Sequence, residues 1–316
     1  MSRLPVTIGV SSCLIGRPVR FDGGHKRDVF VVETLAPHAR LVPVCPEVEL
    51  GLGTPRQTLR LVRHGEDVRL VMKTGEDHTE AMRRFAAKRV KALGEEDLDG
   101  FILKKDSPSC GYERVKVYDD NGMSIRNGRG VFAEALLARD PILPVEDEGR
   151  LIDPRLRENF IERVFAYRRL KDLFVRRWTH GHLVAFHTVH KLVVMAHSVE
   201  AYRVLGRLVA NGKRLERSDL AEQYRATFMG TLSEVATPKK HANVLMHMMG
   251  YFRGRLDDAS RDELLRCIED YRTGLLPLIV PVTLVRHHVR RIGVEYLADQ
   301  IYLDPHPREL ALRNHV

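Results

Sequence analysis

Short apolar runs and helix-spaced apolar positions divide this chain into two differently built halves. Residues 5–13 (PVTIGVSSC) and 40–45 (RLVPVC) are short β-branched runs that each end at a cysteine. A third run, 101–105 (FILKK), leads through Asp-Ser-Pro-Ser to Cys110. Between them, 78–92 (HTEAMRRFAAKRVKA) carries apolar positions at helical spacing, with Thr79 as its expected N-cap. Residues 130–139 predict another helix and 142–144 a final short strand. Strands alternating with helices predict a Rossmann-like α/β domain with a mainly parallel sheet. Sites in such sheets form beyond the carboxyl ends of the strands, where all three cysteines fall.

Beyond 140–153, rich in Pro and acidic residues, the strand signals nearly vanish. Helical patterns run through 154–177, 182–211, 216–235, 238–253, 258–274 and 279–291, with breaks at Gly212, Pro238, Gly254 and Pro277. The expected organisation is an α/β domain over 1–148 and an all-α domain over 149–316. Cys267 sits in a charged helical stretch of the second half (RDELLRCIEDYR) and reads as structural.

A length of 316 residues fits two domains. No apolar run approaches the 18 or so residues of a membrane span. The N-terminal MSRLPVTIGVSSC runs into a strand without a small-residue cleavage site, so a cytoplasmic protein is expected. In a reducing compartment, cysteines serve metal binding or catalysis more often than disulfides. Charge is uneven: residues 1–150 hold 24 Lys+Arg against 23 Asp+Glu, whereas 151–316 hold 27 against 19. A near-neutral half joined to a basic one suggests that the second half meets a polyanion, although a basic solvated helical surface explains the same count.

Cys13, Cys45 and Cys110 are spaced by 32 and 65 residues, with no CxxC pair such as zinc knuckles use. Ligands on three strand ends must be gathered by the fold, as a large cofactor requires. Three thiolates leave a four-iron cluster one ligand short of its usual four, and an open iron is a natural partner for sulfur. Separate buried cysteines are the alternative reading of the spacing. Their polar, turn-forming neighbours (Ser11-Ser12, Pro46-Glu47, Ser107-Pro108-Ser109) are unlike core strands.

The segments SSCLIGRPVRFDGG (11–24), VCPEVELGLGTPR (44–56) and KKDSPSCG (104–111) resemble the bacterial DUF523 family, the thiouracil desulfidases. The resemblance covers roughly 5–145. It implies a [4Fe–4S] cluster on Cys13, Cys45 and Cys110, an acid/base carboxylate at Glu49 and a catalytic serine at Ser107. Phe21 stands where many relatives carry Tyr. Without the resemblance, Glu47 and Glu49 both read as solvated strand-end charges, and Ser107 as a turn cap before Pro108. WTHGHLVAFHTVHKLVVMAHS (178–198) and TPKKHANVLMHMMGYF (237–252) are similar to the DUF1722 domain. The fused pair looks like the desulfidases that convert 4-thiouridine in tRNA to uridine, which implies tRNA as partner, a thiolated pyrimidine as substrate and an RNA-holding helical domain.

The expected chemistry replaces C=S by C=O with water as the oxygen source. Neither a GxxxxGK[ST] loop nor an SGGxDS-like loop is present, so no nucleotide cofactor is expected. Competing readings are a desulfidase for free thiouracil or thiouridine nucleosides, and an RNA-binding protein with a structural metal site. Arg176, Arg177, Lys191, Lys239 and Lys240 are the expected RNA contacts, with Trp178 and Tyr251 as stacking candidates. His187, His190 and His197 share a helix face with Lys191; no carboxylate completes a metal set there, and HExxH is absent.

Overall fold

A computed structural model describes residues 5–175 and 177–316. The chain forms two compact units that divide between Asp153 and Pro154.

The first unit contains, in chain order, β1 (Val6–Ser11), β2 (Ala39–Val44), α1 (Pro46–Glu49), β3 (Leu59–His64), β4 (Asp67–Met72), α2 (Thr79–Leu93), β5 (Gly100–Leu103), β6 (Val115–Tyr118), β7 (Ser124–Gly128), α3 (Val131–Arg139) and β8 (Val145–Asp147). One sheet has the order β2-β1-β5-β8 and every pairing in it is parallel. All six residues of β1 are buried, as a central strand covered on both faces requires. Gly9 permits a close approach there: a Cβ would meet the buried Phe101 ring at 2.2 Å. The last strand starts at Val145, three residues beyond the expected start. Pro144 has no N–H to donate to a ladder, so it only lends its carbonyl to the Phe101 N–H (2.8 Å).

The sequence pattern above does not anticipate a second sheet, of order β4-β3-β6-β7 with parallel and antiparallel pairs. Its β3–β4 hairpin turns on Gly65, at φ 60°, and buries Leu61 and Leu70 with Met82 of α2 and Val131 of α3. Thr79 is the first helical residue of α2 rather than its cap. Its Oγ1 accepts the otherwise buried Leu70 N–H (2.8 Å), while Asp77 accepts from the Thr79 N–H (2.8 Å).

The second unit is helical: α4 (Pro154–Val175), α5 (His180–His197), α6 (Val199–Asn211), α7 (Arg217–Leu232), α8 (Pro238–Met249), α9 (Asp258–Arg272), α10 (Ile279–Ile292) and α11 (Glu295–Ala298). The pattern expected over 182–211 is two helices. Ser198 is extended (φ −154°, ψ 120°) and its Oγ accepts from the Ala201 N–H, so it ends α5 and caps α6. The histidine face of α5 points into the core: Phe186 stacks on His190 at 3.9 Å, and His187 Nδ1 lies 3.2 Å from the Tyr224 hydroxyl. Arg313 near the end of the chain is buried, donating to Glu158 (3.0 Å) and to the Tyr302 carbonyl (2.7 Å). His197 Nε2 lies 3.4 Å from Glu162. No described helix is long and apolar enough to cross a membrane.

Candidate active site

The carboxyl edge of the parallel sheet assembles the site from three loops. After β1, a helical turn over 12–15 carries Cys13, whose carbonyl accepts from the Gly16 and Lys26 N–H groups. Directly after β2, Cys45 sits in extended geometry at the N-cap of α1, with Pro46 at the first helical position. After β5, Ser107 closes the turn that presents Cys110: its Oγ accepts from the N–H groups of Cys110 (3.0 Å) and Ser109 (3.3 Å). That loop is seated on the start of α3, where the Val131 and Phe132 N–H groups donate to the Pro108 and Ser109 carbonyls. Gly130 allows this seating, because a Cβ would come within 2.5 Å of the Ser109 carbonyl.

The three thiols line one cavity of about 370 Å³, together with Glu47, Arg56, Lys104 and Ser107. Burial pushes the Cys13 thiol up to about 11, with Cys45 and Glu148 adding to the rise against the cations Lys104 and Arg20. Burial likewise raises Cys45. Cys110 is raised well above the usual thiol range by burial and by Glu47. Neighbouring thiolates in a low dielectric repel one another, and a bound metal group removes that cost by deprotonating and neutralising them. Among the described residues, no group of three or more His, Cys, Asp and Glu side chains is placed to hold a single metal ion. Three soft donors around a cavity of this size fit a larger metal–sulfur group.

Residues two apart on a helix face different sides, and α1 separates its two glutamates accordingly. Glu49 turns back and away: its carboxylate accepts from the Cys45 N–H (2.9 Å) and from Arg89 of α2 (2.7 Å), and it does not line the cavity. Glu47 does line it. Its Oε2 accepts Arg56 Nε and Nη2 at 2.8 and 2.5 Å, and its Oε1 accepts the Ser109 hydroxyl at 2.9 Å. Arg56 Nη1 also donates to the Val19 and Gly53 carbonyls (3.0 and 2.9 Å), and its backbone N–H to Phe21 (2.9 Å). One ion pair therefore ties together the three cysteine loops. Glu47 and Arg56 are the groups that sequence reasoning underweighted; both lie inside the VCPEVELGLGTPR segment, and only the seating of α1 against the sheet separates Glu47 from Glu49. Lys104 also lines the cavity, and its ammonium donates to Glu148.

The side chains of Arg56 and Glu47 are 5% and 14% exposed, so Arg56→Ala leaves a carboxylate buried without its partner. The expected loss is about 3–5 kcal/mol of unfolding free energy by urea titration. Arg56→Lys keeps the charge without the fork and is expected to fall between.

The expected RNA contacts lie in different surroundings. Arg176 lies outside the described residues. Arg177 and Lys239 are exposed, whereas Lys240 donates to the His197 carbonyl and lies 3.5 Å from Glu234. Lys191 sits 4.8 Å over the Tyr296 ring, on which Tyr251 also stacks at 4.9 Å.

A parallel sheet that presents three thiols at its carboxyl edge, with a helical unit following in the chain, defines a two-unit protein with a thiol-lined site. Comparison with known proteins narrows that class. Residues 8–148 match the family model described as 2-thiouracil desulfurase, and 191–307 match the model described as protein of unknown function (DUF1722). The chain belongs to the 2-thiouracil desulfurase (DUF523) family and carries a DUF1722 domain C-terminal to it. It is 36% identical over 161 residues to the uncharacterized Escherichia coli (strain K12) protein YbgA, covering 51% of this chain and 95% of that protein. It is 35% identical over 133 residues to the uncharacterized Bacillus subtilis (strain 168) protein YbbK, covering 40% and 87%. A solved structure of a [4Fe–4S]-dependent thiouracil desulfidase, TudS, is similar at 34% identity and a TM-score of 0.39, over 47% of this chain and 94% of that one.

Proposed function

We propose that the chain is a [4Fe–4S]-dependent desulfidase that removes sulfur from 4-thiouridine in tRNA, giving uridine and sulfide. The observation that carries this reading is the convergence of Cys13, Cys45 and Cys110 on one cavity beside Glu47 and Ser107. A cluster held by these three thiolates supplies an open, soft Lewis-acid position for a thiocarbonyl sulfur. The protein's own groups do the rest. Glu47, oriented by Arg56 and Ser109, takes a proton from the attacking water. Ser107 accepts two backbone N–H bonds, which leaves its hydroxyl proton to donate to charge developing on the ring. The Lys104 ammonium, beside Cys13, offsets negative charge as sulfur leaves. The excess of basic residues in 151–316, 27 against 19, favours a polyanionic substrate.

A second reading, desulfuration of a free thiopyrimidine, has its own support: every lining residue of the cavity lies between Ser11 and Cys110. Anaerobically reconstituted protein given 4-thiouridine-bearing tRNA or free 4-thiouracil separates the two. Loss of thiocarbonyl absorbance with release of sulfide from the tRNA supports the first. Turnover of the free base alone selects the second, and a colourless protein with zinc but no iron rejects both.

A further inference from the structure

The chain's only tryptophan, Trp178, lies between α4 and α5, half-buried and edge-on to Phe174 (centroids 5.1 Å apart, 89°). The Arg217 guanidinium stands 5.8 Å from its ring centre. His180 Nε2 lies 2.7 Å from the Val209 carbonyl, and a Cβ on Gly212 would come within 3.1 Å of the His180 ring. The start of α5 is therefore packed against the end of α6 and the turn into α7. Arg217 is thus set beside the Trp178 ring, Lys213 and Arg214 directly follow the glycine packed on His180, Arg177 precedes Trp178 in the chain, and all four are exposed.

These cations differ from others on the same unit. Arg168, Arg261 and Arg272 each lie within 3.2 Å of a carboxylate on their own helix. Among the described residues, none of these four forms an ion pair. The nearby acids in sequence are Glu216, at the N-cap of α7, and Asp219, which accepts from the Ser218 hydroxyl. Unpaired cations on the segments that flank an aromatic ring match a flexible phosphate backbone with an unstacked base, which needs both charge and a π-face.

We infer that this surface docks a single-stranded or looped segment of RNA, with its phosphates on Arg177, Lys213, Arg214 and Arg217 and an unpaired base against Trp178. The inference rests on the tRNA reading proposed above and assigns that contact to one surface of the helical unit. Trp178 is its own probe. Titrating the full chain with unmodified tRNA is expected to quench its fluorescence, in step with binding measured independently by filter retention. Replacing Lys213 and Arg214 by Ala is expected to weaken binding on the order of tenfold and to flatten the salt dependence by roughly 1.5 logarithmic units per decade, with far-UV circular dichroism unchanged. Binding of tRNA without a change in Trp178 fluorescence, or equal affinity in the double variant, overturns this surface and leaves the tRNA reading standing. No binding of tRNA by the unaltered chain overturns both. Binding to phosphatidylglycerol vesicles but not to tRNA overturns it in favour of a lipid surface.

Discussion

Glu47→Gln is expected to slow desulfuration by about 10²–10⁴-fold, the usual contribution of a positioned acid/base group. Glu49→Gln is expected to cost less than about tenfold. The two glutamates are one helical step of two apart, yet their surroundings assign them different work. Glu49 has one oxygen on the Cys45 N–H and the other on Arg89, so its carboxylate steadies the start of α1 and ties it to α2. Glu47 accepts the Ser109 hydroxyl on Oε1 and lines the cavity that holds the three thiols. The measurement is kcat on a thiopyrimidine substrate, with iron content determined in parallel so that loss of the metal group is not mistaken for loss of the base. A large defect in Glu49→Gln with a small one in Glu47→Gln would falsify this assignment and return the role to the residue that the family resemblance suggested.

A fall in pH below the ordinary histidine range is expected to unfold the helical unit. Burial holds His187 and His306 down to about 4, and His190 and His241 down to about 3, from an ordinary 6.5. Each is neutral in the folded chain and charged in the unfolded chain between those values. The unfolded state then binds more protons, and stability falls as pH falls below 6.5. Glu158 acts in the opposite sense: burial raises it to about 7, so it favours the folded state as pH falls from 7 to 4.5. For Glu162, burial alone would raise the carboxyl, but the His197 hydrogen bond and the charges of His197 and Arg313 bring it down to about 2. It therefore withdraws stability below 4.5. Four histidines against one glutamate leave a net uptake near three protons, a slope of roughly 4 kcal/mol per pH unit. A typical folding free energy is about 5–15 kcal/mol, so unfolding is expected between about pH 5 and 4. Trp178 belongs to this unit, and its emission followed against pH reads the transition directly. An unchanged spectrum down to pH 4 would count against this linkage.

Elements with strong local pattern were legible in the chain. The runs ending at Cys13 and Cys45 became β1 and β2, 78–92 became α2, and the second half is helical. The second sheet was overlooked although its signal is present: LRLVRH and DVRLVM are two alternating runs around a two-residue Gly-Glu turn. Thr79 and Ser198 show a different limit. Both are capping-type residues at plausible places, but whether each caps depended on which backbone N–H lay unpaired beside it, Leu70 for one and Ala201 for the other.

The order of apolar runs, the residue types at their ends and the charge of each half are properties of the sequence itself. They determined an α/β unit with thiols at its sheet edge and a basic helical unit after it, because periodicity and composition act locally. Tertiary structure alone decided which side chains meet. It turned Glu47 towards the thiols and Glu49 towards Arg89, since the phase of a four-residue helix has meaning only against the sheet it follows. It placed Arg56 across three loops, and it drew the α5 histidines into the core while leaving Lys213, Arg214 and Arg217 in solvent, with Arg217 beside the Trp178 ring. Each of these outcomes depends on partners that are distant along the chain and near only after packing.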